Sequence, residues 1–107
     1  MGLGLGTWAS AKVNIAGVFI DQDGGFISVV KTSTGVFTLV LANAIGVTEC
    51  CPIVTEWYGV GGTPMKITSA ANLGADGVTL TVNLFDNITG VAADAAFCVV
   101  VSRFMPV

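Results

Sequence analysis

Three cysteines, seven carboxylates and no histidine bound the chemistry open to this 107-residue chain. Without imidazole, Ser-His-Asp and Cys-His relays are excluded, and so are metal sites with histidine ligands. Cys50, Cys51 and Cys98 lack Cys-x-x-Cys spacing and a fourth soft ligand, so the sequence predicts reduced, partly buried thiols and no metal. Cys50 and Cys51 are also poorly placed to bridge each other, because a disulfide needs facing Cβ atoms. Asp21 and Asp23 stand two apart, but Gly24 and Gly25 follow at once and the rest of a calcium loop is missing. They read as a turn whose carboxylates cap local backbone N–H groups. A glycosidase would need two carboxylates flanking a sugar, and the scarcity of acids offers no such pair. No catalytic residue, no cofactor and no enzyme activity are assigned.

Other motifs read as structure. Gly2, Gly4 and Gly6 alternate with Leu3 and Leu5 without following a strand or opening a helix, so they make no phosphate loop. Asn87-Ile-Thr89 matches a glycosylation acceptor, yet with no secretory signal ahead of it the segment is read as a turn. Trp57 and Tyr58, followed by Gly59, form an aromatic pair able to stack on a sugar ring, and are kept as a candidate ligand surface.

Only eleven residues are charged, four Lys/Arg and seven Asp/Glu, whereas 53% are hydrophobic. Ordinary domains have about 25% charged residues. A monomer of this size exposes about 5,600 Å², which eleven charges cannot cover, so the composition predicts burial against identical subunits or a larger assembly. Lys12, Lys31, Lys66 and Arg103 are scattered and the net charge is −3, which argues against a nucleic-acid partner. The apolar centre of the longest uncharged run, Val36–Ala42, is far short of a membrane-spanning helix, and no membrane partner is expected.

Segments rich in Val, Ile, Phe and Thr alternate with turn signals, the pattern of an all-β sandwich or barrel in one domain. The expected strands are Lys12–Ile20, with Gly17 as a bulge, then Phe26–Lys31 and Val36–Ala42, these three forming a meander. Val47–Cys51 is expected to be extended, Pro52 to mark an edge or bulge, and Ile53–Tyr58 and Met65–Ala70 to be strands. Val78, Leu80, Val82 and Leu84 alternate with Thr79, Thr81 and Asn83, a strand with one dry and one wet face. Phe97–Phe104 is apolar on both faces, with Phe97, Val99 and Val101 on one and Cys98, Val100 and Phe104 on the other. Either it is a central strand between the side chains of two sheets, or its second face lies at a subunit interface, for which Phe97, Val99, Val101 and Phe104 are the candidates. Residues 1–7 read as a flexible arm before a sandwich over 8–107, with Leu3, Leu5 and Trp8 as apolar anchors for docking.

The stretches 27–42 and 77–103 carry an ordered set of features: a Ser-Thr-Gly turn at 33–35 before a strand, then a strand, the Asp86-to-Gly90 turn, a short Ala/Asp stretch and a final apolar strand. In this the chain resembles small β-domains of phage tail fibres and head-decorating proteins. The resemblance implies an antiparallel, jelly-roll-like β-sandwich that forms a homo-trimer. It implies a virion structural protein made in the host cytoplasm, most simply a capsid decoration or cement protein that binds the major capsid protein or another virion protein. The alternative it offers is a receptor-binding knob of a fibre, using Trp57 and Tyr58. The chain departs from fibre domains at Glu49-Cys-Cys-Pro52, where those carry an aromatic, and has no stalk ahead of Trp8, which favours a stand-alone surface subunit.

Overall fold

The computed structural model describes residues 4–57 and 67–105. It contains eight strands: β1 (Gly4–Val13), β2 (Phe19–Gln22), β3 (Phe26–Ser33), β4 (Val36–Leu41), β5 (Cys50–Trp57), β6 (Ile67–Leu73), β7 (Thr79–Asp86) and β8 (Ala96–Met105). There is no helix among the described residues. The strands form two antiparallel four-stranded sheets, ordered β2-β1-β8-β5 and β3-β4-β7-β6, packed as a sandwich. β1 and β8 pair at the centre of the first sheet, and β4 and β7 at the centre of the second. That nesting of chain ends around chain middle is jelly-roll-like. The hairpins β1–β2 and β3–β4 depart from a full roll, because each stays side by side within its own sheet.

The core follows the two-residue rhythm of the strands. Phe37, Leu39 and Leu41 on β4 and Leu80, Val82 and Leu84 on β7 are buried, while their neighbours Thr38, Val40, Thr79, Thr81 and Asn83 point outward. From the opposite sheet Phe97, Val99 and Val101 of β8 are wholly enclosed, with Ala9, Ala11 and Val13 of β1 beside them. Enclosing each such large side chain stabilises the fold by about 1.5–3 kcal/mol. The small Ala9 and Ala11 leave room for a turn from elsewhere to approach: a Cβ on Gly25 would lie 2.4 Å from the Cβ of Ala9.

Several boundaries differ from the sequence expectation, each for a local reason. The expected strand over 12–20 is broken into β1 and β2 by a turn headed by Asn14. The Asn14 side-chain oxygen accepts the amides of Ala16 and Val18, both at 3.0 Å. Gly17 is a turn residue with φ +84°, not a bulge. The meander is replaced by two hairpins in opposite sheets, because the chain changes sheet at Asp23–Gly25. There the Asp23 amide stays tied to the Ser10 carbonyl at 3.1 Å while Ala42 N–H reaches the Gly25 carbonyl at 2.8 Å. Residues 47–49 turn, with the amides of Glu49 and Cys50 both donating to the Gly46 carbonyl. β5 then runs unbroken through Pro52, which the ladder tolerates because β5 is an edge strand.

The amino-terminal arm is also corrected. Gly4, Leu5, Gly6 and Thr7 lie opposite Met105, Phe104, Arg103 and Ser102 as the first part of β1, so their backbone is engaged in the sheet. Leu3 lies outside the described residues. The ladder slips at Trp8, where the register shifts between Thr7 and Ala9. The extra residue of this bulge turns the indole toward the core cluster.

Candidate interaction face

Both outer faces of the sandwich mix apolar and polar side chains. On the β3-β4-β7-β6 sheet, the outward rows are Val30–Thr38–Thr81–Asn72, Ser28–Val40–Thr79 and Val36–Asn83–Ala70, so hydroxyls and amides stand beside valines, of which Val30 is 56% exposed. On the other sheet, opposed residues form three rows. The first is Asp21–Lys12–Cys98–Thr55, the second Ser10–Val100–Ile53, and the third Thr7–Ser102–Cys51, with Phe104 beyond it. Only the first row is charged. Ile53 is 53% exposed and Phe104 38% exposed, and with half-buried Val100 they make an apolar surface along β8 and β5.

At its charged end this face carries a shallow groove of about 390 Å³, lined by Ser10, Lys12, Asp21, Gln22, Asp23 and Cys98. Asp23 is a turn cap, as its spacing predicted: its carboxylate accepts the Gly25 amide at 2.8 Å. Desolvation pushes its pKa up, but hydrogen bonds from Ser10 and Gly25 outweigh this and hold it below the ordinary carboxylate value. Asp21 accepts the Gln22 amide at 2.9 Å. No group of three or more Cys, Asp or Glu among the described residues is placed to hold a metal ion.

The cysteines are free, half-buried thiols. Cys50 packs against the core cluster, whereas Cys51, the next residue on the same strand, points to the outer face beside Ser102. Burial, and then the neighbouring Cys51, push the Cys50 thiol above its ordinary value.

Phe97, Val99 and Val101 were expected at a subunit interface. That expectation is corrected: all three are 0% exposed within a single chain, enclosed by the opposite sheet, and have no surface left for a second copy. Of the four, Phe104 remains on the outside. Trp8, expected to anchor a docking arm, is instead part of an internal clamp. Its indole N–H donates to the Asn43 carbonyl at 3.1 Å, and the Arg103 guanidinium lies 5.3 Å from the ring centroid. Arg103 in turn donates from Nε to Glu49 at 3.1 Å, joining β8 to the 42–49 loop. Trp57 ends β5, and Tyr58 with the 59–64 loop lies outside the described residues, so the ligand surface expected there has no described geometry.

A second apolar region was not singled out in the sequence. Ile15 and Val18 (55% and 57% exposed) flank the β1–β2 turn, and Ile88 and Val91 (76% and 64%) lie on the β7–β8 connection. Both loops are at the same end of the sandwich: Gly17 abuts Lys31, and Lys31 pairs with Asp94 in that connection. Asp86 stiffens the loop tip by accepting the amides of Ile88 at 2.8 Å and Thr89 at 3.2 Å. The signal was present as aliphatic residues inside turn segments, where polar residues are the norm. No protein-family model, curated protein or solved structure matches the chain.

Proposed function

We propose that this protein is a structural subunit of a virus particle, a head-decorating protein of the phage type that binds the assembled shell and stabilises it by mass action. The observation that carries this reading is the surface. Among the described residues, ten large hydrophobic side chains are 38% to 76% exposed, on a chain with eleven charges. A subunit that spends its life packed in a particle has partners for such a surface, and a free monomer does not. The apolar side chains fall into separate regions, which suits a subunit that must meet both its own copies and an underlying shell. In this reading the 15–18 and 86–91 loop end meets the shell, in place of the amino-terminal arm.

The test is binding to purified empty shells from the particle that encodes the protein, followed by thermal disruption of the shells. Saturation at a fixed number of copies and a higher disruption temperature are expected. Absence of the protein from purified particles, or shells no more stable with it than without, overturns the reading. Ile88→Asp combined with Val91→Asp is expected to reduce shell binding at least tenfold while leaving the fold intact.

A further inference from the structure

We infer that the loop end formed by Ile15, Val18, Ile88 and Val91 enters an apolar hollow of the shell subunit as two preformed knobs, held by apolar burial with no hydrogen bond or ion pair to the partner. The inference rests on the particle-subunit reading and adds to it the chemistry of the surface that the loop end meets. Three observations carry it.

The backbone of both turns is satisfied from within. In the first, Asn14 N–H donates to the Val18 carbonyl at 2.9 Å and Gly17 N–H to the Asn14 carbonyl at 3.0 Å. The Asn14 side-chain oxygen takes the amides of Ala16 and Val18. In the second, Asp86 N–H donates to the Val91 carbonyl at 2.9 Å and Gly90 N–H to the Asp86 carbonyl at 2.8 Å. The Asp86 carboxylate takes the amides of Ile88 and Thr89, and the Thr89 hydroxyl takes that of Val91 at 3.3 Å. An exposed turn can leave such donors to water. A turn that enters a water-free contact cannot, because a buried donor without an acceptor opposes binding. The same bonds hold the aliphatic side chains in place before any partner arrives.

The charges around this end are engaged. No residue from 13 to 20 or from 87 to 93 is charged. Of the residues that bound these stretches, Lys12 and Asp21 lie opposite each other in the β1–β2 ladder, and Asp86 holds the two amides. Asp94 is shared between Lys31 and the Gly35 amide. What remains for a partner is four aliphatic side chains, 55% to 76% exposed. A charged or strongly hydrogen-bonding surface would lose its hydration against them without compensation, so the complementary surface is apolar and uncharged.

The shape of the end points away from a second copy of this chain. Side chains as exposed as Ile88 stand proud of the loop, and a convex end finds no hollow in the identical end of another molecule. The groove on the outer face of the β2-β1-β8-β5 sheet is lined by Lys12, Asp21 and Asp23 among others, and would set charges against aliphatic groups. The hollow therefore belongs to a different protein, which in the particle reading is the shell subunit.

Isothermal titration calorimetry of the full chain against empty shells tests this, at about 50 mM and about 1 M sodium chloride and at several temperatures. The variants are Ile15→Asp, Val18→Lys and, as a control on the outer face of β7, Thr81→Lys. The expected result is an affinity in high salt equal to or tighter than that in low salt, with a negative heat-capacity change. Each loop substitution should weaken binding at least tenfold and the control should not. Circular dichroism checks folding; both loop positions are more than half exposed, so either variant is informative if the other fails to fold. A tenfold loss of affinity in high salt, or loop variants that bind shells as tightly as the unmodified chain, overturns this inference and leaves the particle reading standing. Equally tight binding to phosphatidylcholine vesicles, or a dimer that Ile15→Asp abolishes, also overturns it, by giving the loop end to a bilayer or to a second copy. An unmodified chain that does not bind shells overturns the particle reading and this inference with it.

Discussion

Phe37 on β4 and Phe97 on β8 meet edge to face between the two sheets, with ring centroids 5.0 Å apart and ring planes at 67°. Both rings are 0% exposed. The contact joins the central strands of opposite sheets, so it couples the two halves of the sandwich and fixes which face of β8 is internal.

Truncating either ring leaves a large cavity where neither sheet can collapse onto the other. Phe37→Ala and Phe97→Ala are each expected to lower stability by about 3–5 kcal/mol. Because the rings touch, the double variant should lose less than the sum, by about 0.5–1.5 kcal/mol of ring–ring interaction. Urea unfolding of the three variants measures this. Strict additivity would show that the rings act independently.

Asp94 should make stability depend on acid pH. One carboxylate oxygen accepts the amide of buried Gly35 at 2.7 Å and the other pairs with Lys31. Desolvation pushes its pKa up, but the Lys31 and Gly35 hydrogen bonds and the Lys31 charge prevail and hold it below the ordinary value of 3.8. A group whose folded-state pKa is depressed contributes stability that is present above the unfolded value and is lost as pH falls through the folded value. Asp94→Asn should therefore melt below the unmodified protein at pH 6–7, with the gap closing as pH drops below about 4. A gap independent of pH would point to lost geometry in place of lost charge.

Removing residues 1–7 should weaken the fold. It strips the partners of Ser102 to Met105 on one side of β8 and exposes their backbone groups along an edge. A loss of about 1–2 kcal/mol for several weakened ladder bonds corresponds to roughly 4–16 °C in melting temperature for a chain of this size. Differential scanning calorimetry reads it directly. An unchanged melting temperature would restore the view of this segment as a free arm.

The sequence alone determined that the chain is all-β, which strands have a dry and a wet face, and where most turns fall. The Leu80–Leu84 alternation and the Gly35 and Gly90 turns, both at positive φ, are local properties, set by side-chain periodicity and by one residue's freedom to reach that backbone region. Tertiary structure alone decided the rest. Phe97–Phe104 is apolar on both sides, so periodicity cannot choose its inner face; the ring of Phe37 on the opposite sheet does. The change of sheet at Asp23–Gly25 depends on Ala9, fourteen or more residues earlier in the chain, being small enough to admit a glycine. Trp8 faces inward because a bulge rotates it toward Asn43 and Arg103, partners brought close by the fold from distant parts of the chain. The same distance in sequence hid the candidate interaction face, whose rows draw one residue from each of three or four strands.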